Sequence, residues 1–308
     1  MVQAHAEAVK AVGDPTWIDA PYSIFNIELT NRCPFKCIMC ARTHNMTRAQ
    51  GLMEFDLFRK VIDEYVQDNP RQAMGSECWL HHFGESLVHP EFDRFIAYAS
   101  ARGVFTALSL NPLLLKPPIA QALLRAEPRK LYLSIDGHDD ASFERIRGIK
   151  DAYEPSVRHL LDFLNLKKAM GSDVVICVSM ILFGENKESI ARTRDFWSGL
   201  EGVDFFYDKS FVTWDGNAPD VSRLDGERPT VRRDHITCTF PRTRMTVTWD
   251  GDVVPCCYDY DKRLVLGNVG QQSLKEIWNG EPMRNLRRQF LDNKVDNPLC
   301  RNCDYLRA

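Results

Sequence analysis

Six apolar, β-rich runs recur along the first two-thirds of the chain: residues 22–30 (YSIFNIELT), 76–82 (SECWLHH), 104–110 (VFTALSL), 131–136 (LYLSID), 174–182 (VVICVSMIL) and 203–208 (VDFFYD). Between them the apolar spacing becomes helical. Phe58, Val61, Ile62 and Tyr65 recur at i, i+3, i+4 and i+7, as do Phe92, Phe95, Ile96 and Ala99, and Val157, Leu160, Leu161 and Leu164. Each such helix carries one apolar face, suited to covering a sheet. Apolar strands alternating with helices predict a parallel sheet with helical crossovers. The fold class expected is therefore α/β: a partial (β/α)6 TIM-like barrel over 21–213, behind an N-terminal extension at 1–20. In that architecture chemistry gathers at the C-terminal ends of the strands.

The pattern breaks at 214–236, where WDGNAPDVSRLDGERPTVRRD is rich in Gly, Pro, Asp and Arg and reads as a linker. Residues 237–308 then read as a small hairpin-plus-helix domain. RMTVTWDGDVVP predicts a hairpin with Asp250-Gly251 as a type I′ turn, SLKEIWNG a short helix ending at Gly280, and PMRNLRRQFLDN another. So few elements make a marginal core, which a metal staple would strengthen.

At 308 residues, a net charge of −3 and a pI near 6.3, the chain has room for a substantial core but no basic field for nucleic acid. No run of 18 apolar residues occurs, and MVQAHAEAVKAVGDPTW lacks the basic and apolar regions of a secretory signal. A cytoplasmic location without membrane or nucleic-acid partners is expected. In that setting ten cysteines suggest metal or redox chemistry rather than disulfides. They fall into two groups, with Cys78 and Cys177 alone between them in strand-like runs, where each reads as a small core hydrophobe.

CPFKCIMC places Cys33, Cys37 and Cys40 directly after the first strand. Three thiolates do not complete a tetrahedral site, whereas a cubane held by three cysteines leaves one iron open to an outside ligand. The C-x3-C-x2-C spacing at this place in a βα pattern resembles the radical S-adenosylmethionine superfamily. Other stretches extend the resemblance. FGES, with Phe83 standing where the family has a first glycine and with Gly84 and Glu85 retained, matches its Gly-Gly-Glu motif, in which the acid meets the methionine ammonium. In LSIDG, Ser134 and Asp136 match the ribose-contacting strand, and Met39 matches the position lying against adenine. The resemblance implies a 4Fe-4S cluster on Cys33, Cys37 and Cys40 that binds S-adenosylmethionine, a 5′-deoxyadenosyl radical, and hydrogen-atom abstraction from a substrate C–H. It also implies an external electron donor such as flavodoxin or ferredoxin.

The second group is Cys238, Cys256, Cys257 and the pair in CRNC, Cys300 and Cys303, with Gly251 separated from Cys256 by four residues. Alone, this set suits zinc equally well. Behind the first group it resembles a twitch-type SPASM domain, which implies one auxiliary 4Fe-4S cluster on Cys238, Cys256, Cys300 and Cys303. Cys257 is then surplus. It is a passenger, an alternative ligand, or a hydrogen-atom donor whose thiol quenches a substrate radical. The arrangement resembles aminoglycoside and peptide epimerases, in which such a cysteine donates, and the 2-deoxy-scyllo-inosamine dehydrogenase, in which the radical is oxidised to a ketone. The leading expectation is epimerisation of an aminoglycoside or related carbohydrate with Cys257 as donor; dehydrogenation, a peptide substrate, and a non-catalytic iron–sulfur carrier or zinc-bearing binding module are the alternatives. His81, His82, Asp136, Lys209 and Asp215 are polar candidates near strand ends.

Overall fold

The computed structural model describes residues 13–225 and 236–307. Residues 1–12 of the expected extension, 226–235 of the expected linker, and Ala308 lie outside the described residues. The strands are β1 (Ser23–Ile27), β2 (Cys78–Trp79), β3 (Thr106–Leu110), β4 (Lys130–Ser134), β5 (Val175–Leu182), β6 (Phe205–Ser210), β7 (Arg244–Val247), β8 (Asp252–Val254) and β9 (Gly267–Asn268). They form one open sheet in the order β6-β5-β4-β3-β2-β1-β7-β8-β9. Strands β1 to β6 lie side by side in chain order and pair in parallel. This is the partial barrel that the alternation of strands and helices predicts.

Strand β2 is shorter than the apolar run at 76–82. Only Cys78 and Trp79 form ladder pairs, with one further bond from the Leu80 amide to the Ala107 carbonyl, before the chain turns into His81-His82-Phe83-Gly84-Glu85. At the other edge β7 pairs in parallel with β1, Ser23 opposite Arg244 and Ile27 opposite Val247. The C-terminal hairpin thus extends the barrel sheet directly. The hairpin turn is not type I′: the Gly251 amide bonds back to the Thr248 carbonyl, and of Asp250 and Gly251 only Gly251 has positive φ, at 86°. A left-handed glycine closing a right-handed turn gives a bulged hairpin instead.

Helices cover the sheet: α1 (Phe55–Asp68), α2 (Phe92–Ala101), α3 (Pro117–Arg125), α4 (Asp140–Arg147), α5 (Tyr153–Met170) and α6 (Lys187–Gly199), followed by α7 (Leu274–Trp278) and α8 (Glu281–Leu291). The periodic residues of α1 and α2 are all buried, each fully buried large side chain contributing about 1.5–3 kcal/mol. In α5 the buried face is Ser156, Leu160, Phe163 and Leu164, so Leu161 lies at its margin. Helix α4 begins with a reciprocal cap between Asp139 and Ser142 and ends at left-handed Gly148. Its last carbonyls, Ile146 and Arg147, accept the amides of Ile38 and Lys36. A Cβ at Gly148 would come within 2.7 Å of the Lys36 carbonyl oxygen. The loop carrying the first three cysteines is therefore docked on the end of α4.

Candidate active site

Cys33, Cys37 and Cys40 line a cavity of about 240 Å³ at the C-terminal ends of β1 to β5, with Met39, Phe83, Gly84, Glu85 and Ser134 in the same wall. Close backbone approach builds it. A Cβ on Gly84 would lie 1.9 Å from the Thr30 carbonyl oxygen, so glycine lets the loop after β2 pack on the loop after β1. The Glu85 amide bonds to the Arg32 carbonyl at 2.9 Å, and its carboxylate accepts the amides of Asn111 at 2.9 Å and Leu87 at 3.3 Å. Burial raises the Glu85 carboxyl to about 7, against the opposing pull of those amides and of Arg147.

Asp136 departs from expectation. It is wholly buried and absent from the cavity lining, its Oδ1 accepting the Ile181 amide and the Asn186 side-chain amide, both at 2.7 Å, while its Oδ2 pairs with Arg147 at 2.5 Å. Arg147 takes the place at the wall. Its Nη1 lies 3.6 Å from Cys37 Sγ, and its buried Nε has no hydrogen-bond partner among the described residues. Sequence reading missed Arg147, because an arginine in the last turn of an amphipathic helix reads as an ordinary C-terminal charge.

These residues fit the groups that the resemblance implies. Three thiols, an acceptor carboxylate and an unsatisfied guanidinium donor on one cavity suit a cluster and the two charged ends of an amino-acid moiety. Among the described residues no three ligating side chains converge tightly enough for a single metal ion.

The second group of cysteines divides. Cys238, Cys256, Cys300 and Cys303 line one apolar pocket with Phe240, Leu286 and Leu299. Cys257 does not. It lines instead a cavity of about 790 Å³ on the concave inner face of the sheet, walled by aromatic residues that include Trp79, Tyr132 and Trp214. Cys256 and Cys257 sit in the bend and turn that follow β8, and there the two neighbouring side chains line different spaces. The two cavities share His81, His82, Lys209 and Trp214. Asp215 lies outside both, fully buried and paired with Arg263 at 2.7 Å. Cys78 and Cys177 are both buried, although Cys177 also lines the larger cavity.

His82 fixes the backbone at Cys257. Its Nε2 lies 2.9 Å from the Cys257 carbonyl oxygen, which only accepts, so Nε2 carries the hydrogen. Burial lowers His82 to about 4 despite the Glu28 carboxylate 3.6 Å from Nδ1, leaving the neutral ring. Glu28 is itself wholly buried and held by Arg48 through contacts of 2.6 and 2.5 Å. Burial pushes its carboxyl up, but the Arg48 hydrogen bonds and charge outweigh that and keep it below the usual range.

The chain is similar to known proteins over most of its length. Residues 27–196 match the family model described as the radical SAM superfamily, and residues 238–304 match SPASM, an iron-sulfur cluster-binding domain. The chain is 24% identical to the tungsten-containing aldehyde ferredoxin oxidoreductase cofactor-modifying protein of Pyrococcus furiosus, covering 90% of this chain and 86% of that one. It is 29% identical to the S-adenosyl-L-methionine-dependent 2-deoxy-scyllo-inosamine dehydrogenase of Niallia circulans, covering 93% and 94%. Among solved structures it resembles BtrN in complex with AdoMet and 2-DOIA, with a TM-score of 0.60 at 18% identity, covering 93% and 94% of the two chains.

Proposed function

Because this chain belongs to the radical SAM superfamily and carries a SPASM iron–sulfur domain, we propose that it returns hydrogen to its substrate from Cys257 and so epimerises a carbon centre. The family's cofactors, S-adenosylmethionine and 4Fe-4S clusters, supply when bound a 5′-deoxyadenosyl radical able to take a hydrogen atom from an unactivated C–H. Cys33, Cys37 and Cys40 would hold the cluster, Glu85 would accept from the methionine ammonium, and Met39, Phe83, Gly84 and Ser134 would complete the cofactor wall. Cys238, Cys256, Cys300 and Cys303 would hold the auxiliary cluster. One observation carries the reading: Cys256 lines the four-thiol pocket, whereas Cys257 lines the large cavity that shares a wall with the cofactor space.

In the proposed step the S–H bond of Cys257 breaks and a C–H bond forms on the opposite face of the substrate radical. The remaining thiyl is restored by one electron from a flavodoxin- or ferredoxin-class donor and one proton from water. The product has the same mass as the substrate. His82 acts as a positioning residue, anchoring the Cys257 carbonyl.

A second reading is dehydrogenation, favoured by the 29% identity over nearly the full length of the inosamine dehydrogenase. There the substrate radical loses one proton to a base and one electron to an iron–sulfur acceptor, and the product is two hydrogens lighter. Turnover in D2O separates the two. Using whichever compound of a carbohydrate and peptide panel most raises 5′-deoxyadenosine release, epimerisation predicts product isomers carrying one deuterium at the reacting carbon, absent in Cys257→Ala. A product lighter by two hydrogens, unaffected in kind by Cys257→Ala, refutes it.

A further inference from the structure

The charges lining the large cavity constrain its substrate. Glu77 is its one carboxylate among the described lining residues, and it is already paired with Lys130 at 2.9 Å. Lys209, near the end of β6, is different. Its ammonium lies 3.5 Å from the Ser109 hydroxyl and 5.2 Å from the centre of the Tyr132 ring, and no carboxylate is within ion-pair distance among the described residues. Asp136, the nearby acid, favours the Lys209 ammonium through its charge, but it is not in contact with it: its Oδ2 pairs with Arg147 and its Oδ1 accepts two amide donors. Ser109 is a poor substitute for an anion, because its hydroxyl is shared with Ser134 at 3.1 Å. The half-buried ammonium therefore has no carboxylate in direct contact and is open to an anionic partner entering from the cavity. Burial lowers Lys209 to about 8, so it stays mainly charged at neutral pH. With the Lys130–Glu77 pair neutral in sum and both histidines lowered well below neutrality by burial, Lys209 supplies the cavity's net charge.

We propose that this cavity takes a substrate bearing a carboxylate or similar anionic group, held by Lys209 against the aromatic wall, and that it discriminates against polycations. An aminoglycoside would bring several ammonium groups to a cavity that offers a lysine and no free carboxylate. The proposal rests on the reading of this cavity as the substrate's.

Matched probes test it: 4-hydroxyphenylacetate and tyramine share a ring but carry opposite charges. Isothermal titration of the reconstituted full chain with S-adenosylmethionine present should show the acid binding at least tenfold more tightly than the amine. Lys209→Met should remove the preference, Lys209→Arg should keep it, and neither should change S-adenosylmethionine affinity. Equal or tighter binding of tyramine, no binding of either probe, or a preference surviving in Lys209→Met overturns the proposal. Lys209→Met losing S-adenosylmethionine affinity also overturns it, by assigning the lysine to the cofactor. Ser210→Trp, which adds bulk at the exposed cavity rim, should weaken both probes. If it leaves both untouched, the probes bind elsewhere and the reading of the cavity itself fails; if it weakens both while Lys209→Met keeps the preference, only the role of Lys209 fails.

Discussion

Gly84→Ala adds one methyl group where the chain has no space. Its Cβ would stand 1.9 Å from the Thr30 carbonyl oxygen, 2.7 Å from the Thr30 carbonyl carbon and 2.8 Å from the Asn31 Cα, all backbone atoms. Gly84 has no positive φ, so the constraint is close approach and not backbone conformation. Restoring the tightest contact to 3.0 Å requires about 1.1 Å of movement between the loops after β1 and β2. No side chain can turn away to provide it. The movement opens the bond from the Glu85 amide to the Arg32 carbonyl and shifts the Glu85 carboxylate from its place beside the three cysteines. Overpacking of this kind costs about 1–3 kcal/mol, and a misplacement near 1 Å at a reacting centre costs on the order of 100-fold in rate. Dithionite-driven formation of 5′-deoxyadenosine, followed by chromatography on reconstituted enzyme, should fall by about that factor, with weakened S-adenosylmethionine binding and a melting temperature lower by a few degrees. Gly75→Ala is the control, since nothing lies within 4 Å of its added Cβ. A Gly84→Ala enzyme within twofold of wild type in rate and cofactor affinity would show that this close approach does not position Glu85.

Arg48→Met leaves Glu28 buried without its partner, the two side chains being 4% and 0% exposed. It should cost about 3–5 kcal/mol by denaturant titration, with partial recovery in Glu28→Gln/Arg48→Met. Because the folded pKa of Glu28 is lowered, its contribution is complete above the unfolded value of about 4.3 and is lost as pH falls through the folded one. Cys303→Ala removes one thiol of the four-thiol pocket, so reconstituted iron should fall from about eight per chain toward about four, on four per cubane. Retention of all the iron would remove Cys303 from the ligand set.

Much of the barrel was legible because its signals are local. Phe58, Val61, Ile62 and Tyr65 declare one helix face by spacing alone, and all four are buried. The cysteine loop was equally visible, since its three thiols follow a strand within eight residues. Long-range partners were not. Nothing in RMTV says that it pairs with β1 across more than 200 residues, because an apolar run fixes a strand's face but not its neighbour. Asp136 was expected to face the cofactor, but whether an acid at a strand end meets a ligand or an arginine depends on α4, and Arg147 captures it. The division of Cys256 from Cys257 likewise depends on tertiary structure: the sequence shows two adjacent sulfurs, and only the fold places a different cavity beside each.

That division is open to direct test. Cys257→Ala and Cys256→Ala should be reconstituted in parallel and compared for iron, 5′-deoxyadenosine and deuterium in product formed in D2O. If Cys257 is the hydrogen donor and Cys256 a ligand, Cys257→Ala keeps about eight irons and still makes 5′-deoxyadenosine, yet puts no deuterium at the reacting carbon, whereas Cys256→Ala loses about half the iron. Deuterated epimer at wild-type rate from Cys257→Ala, or iron loss on removing Cys257 rather than Cys256, would contradict that assignment.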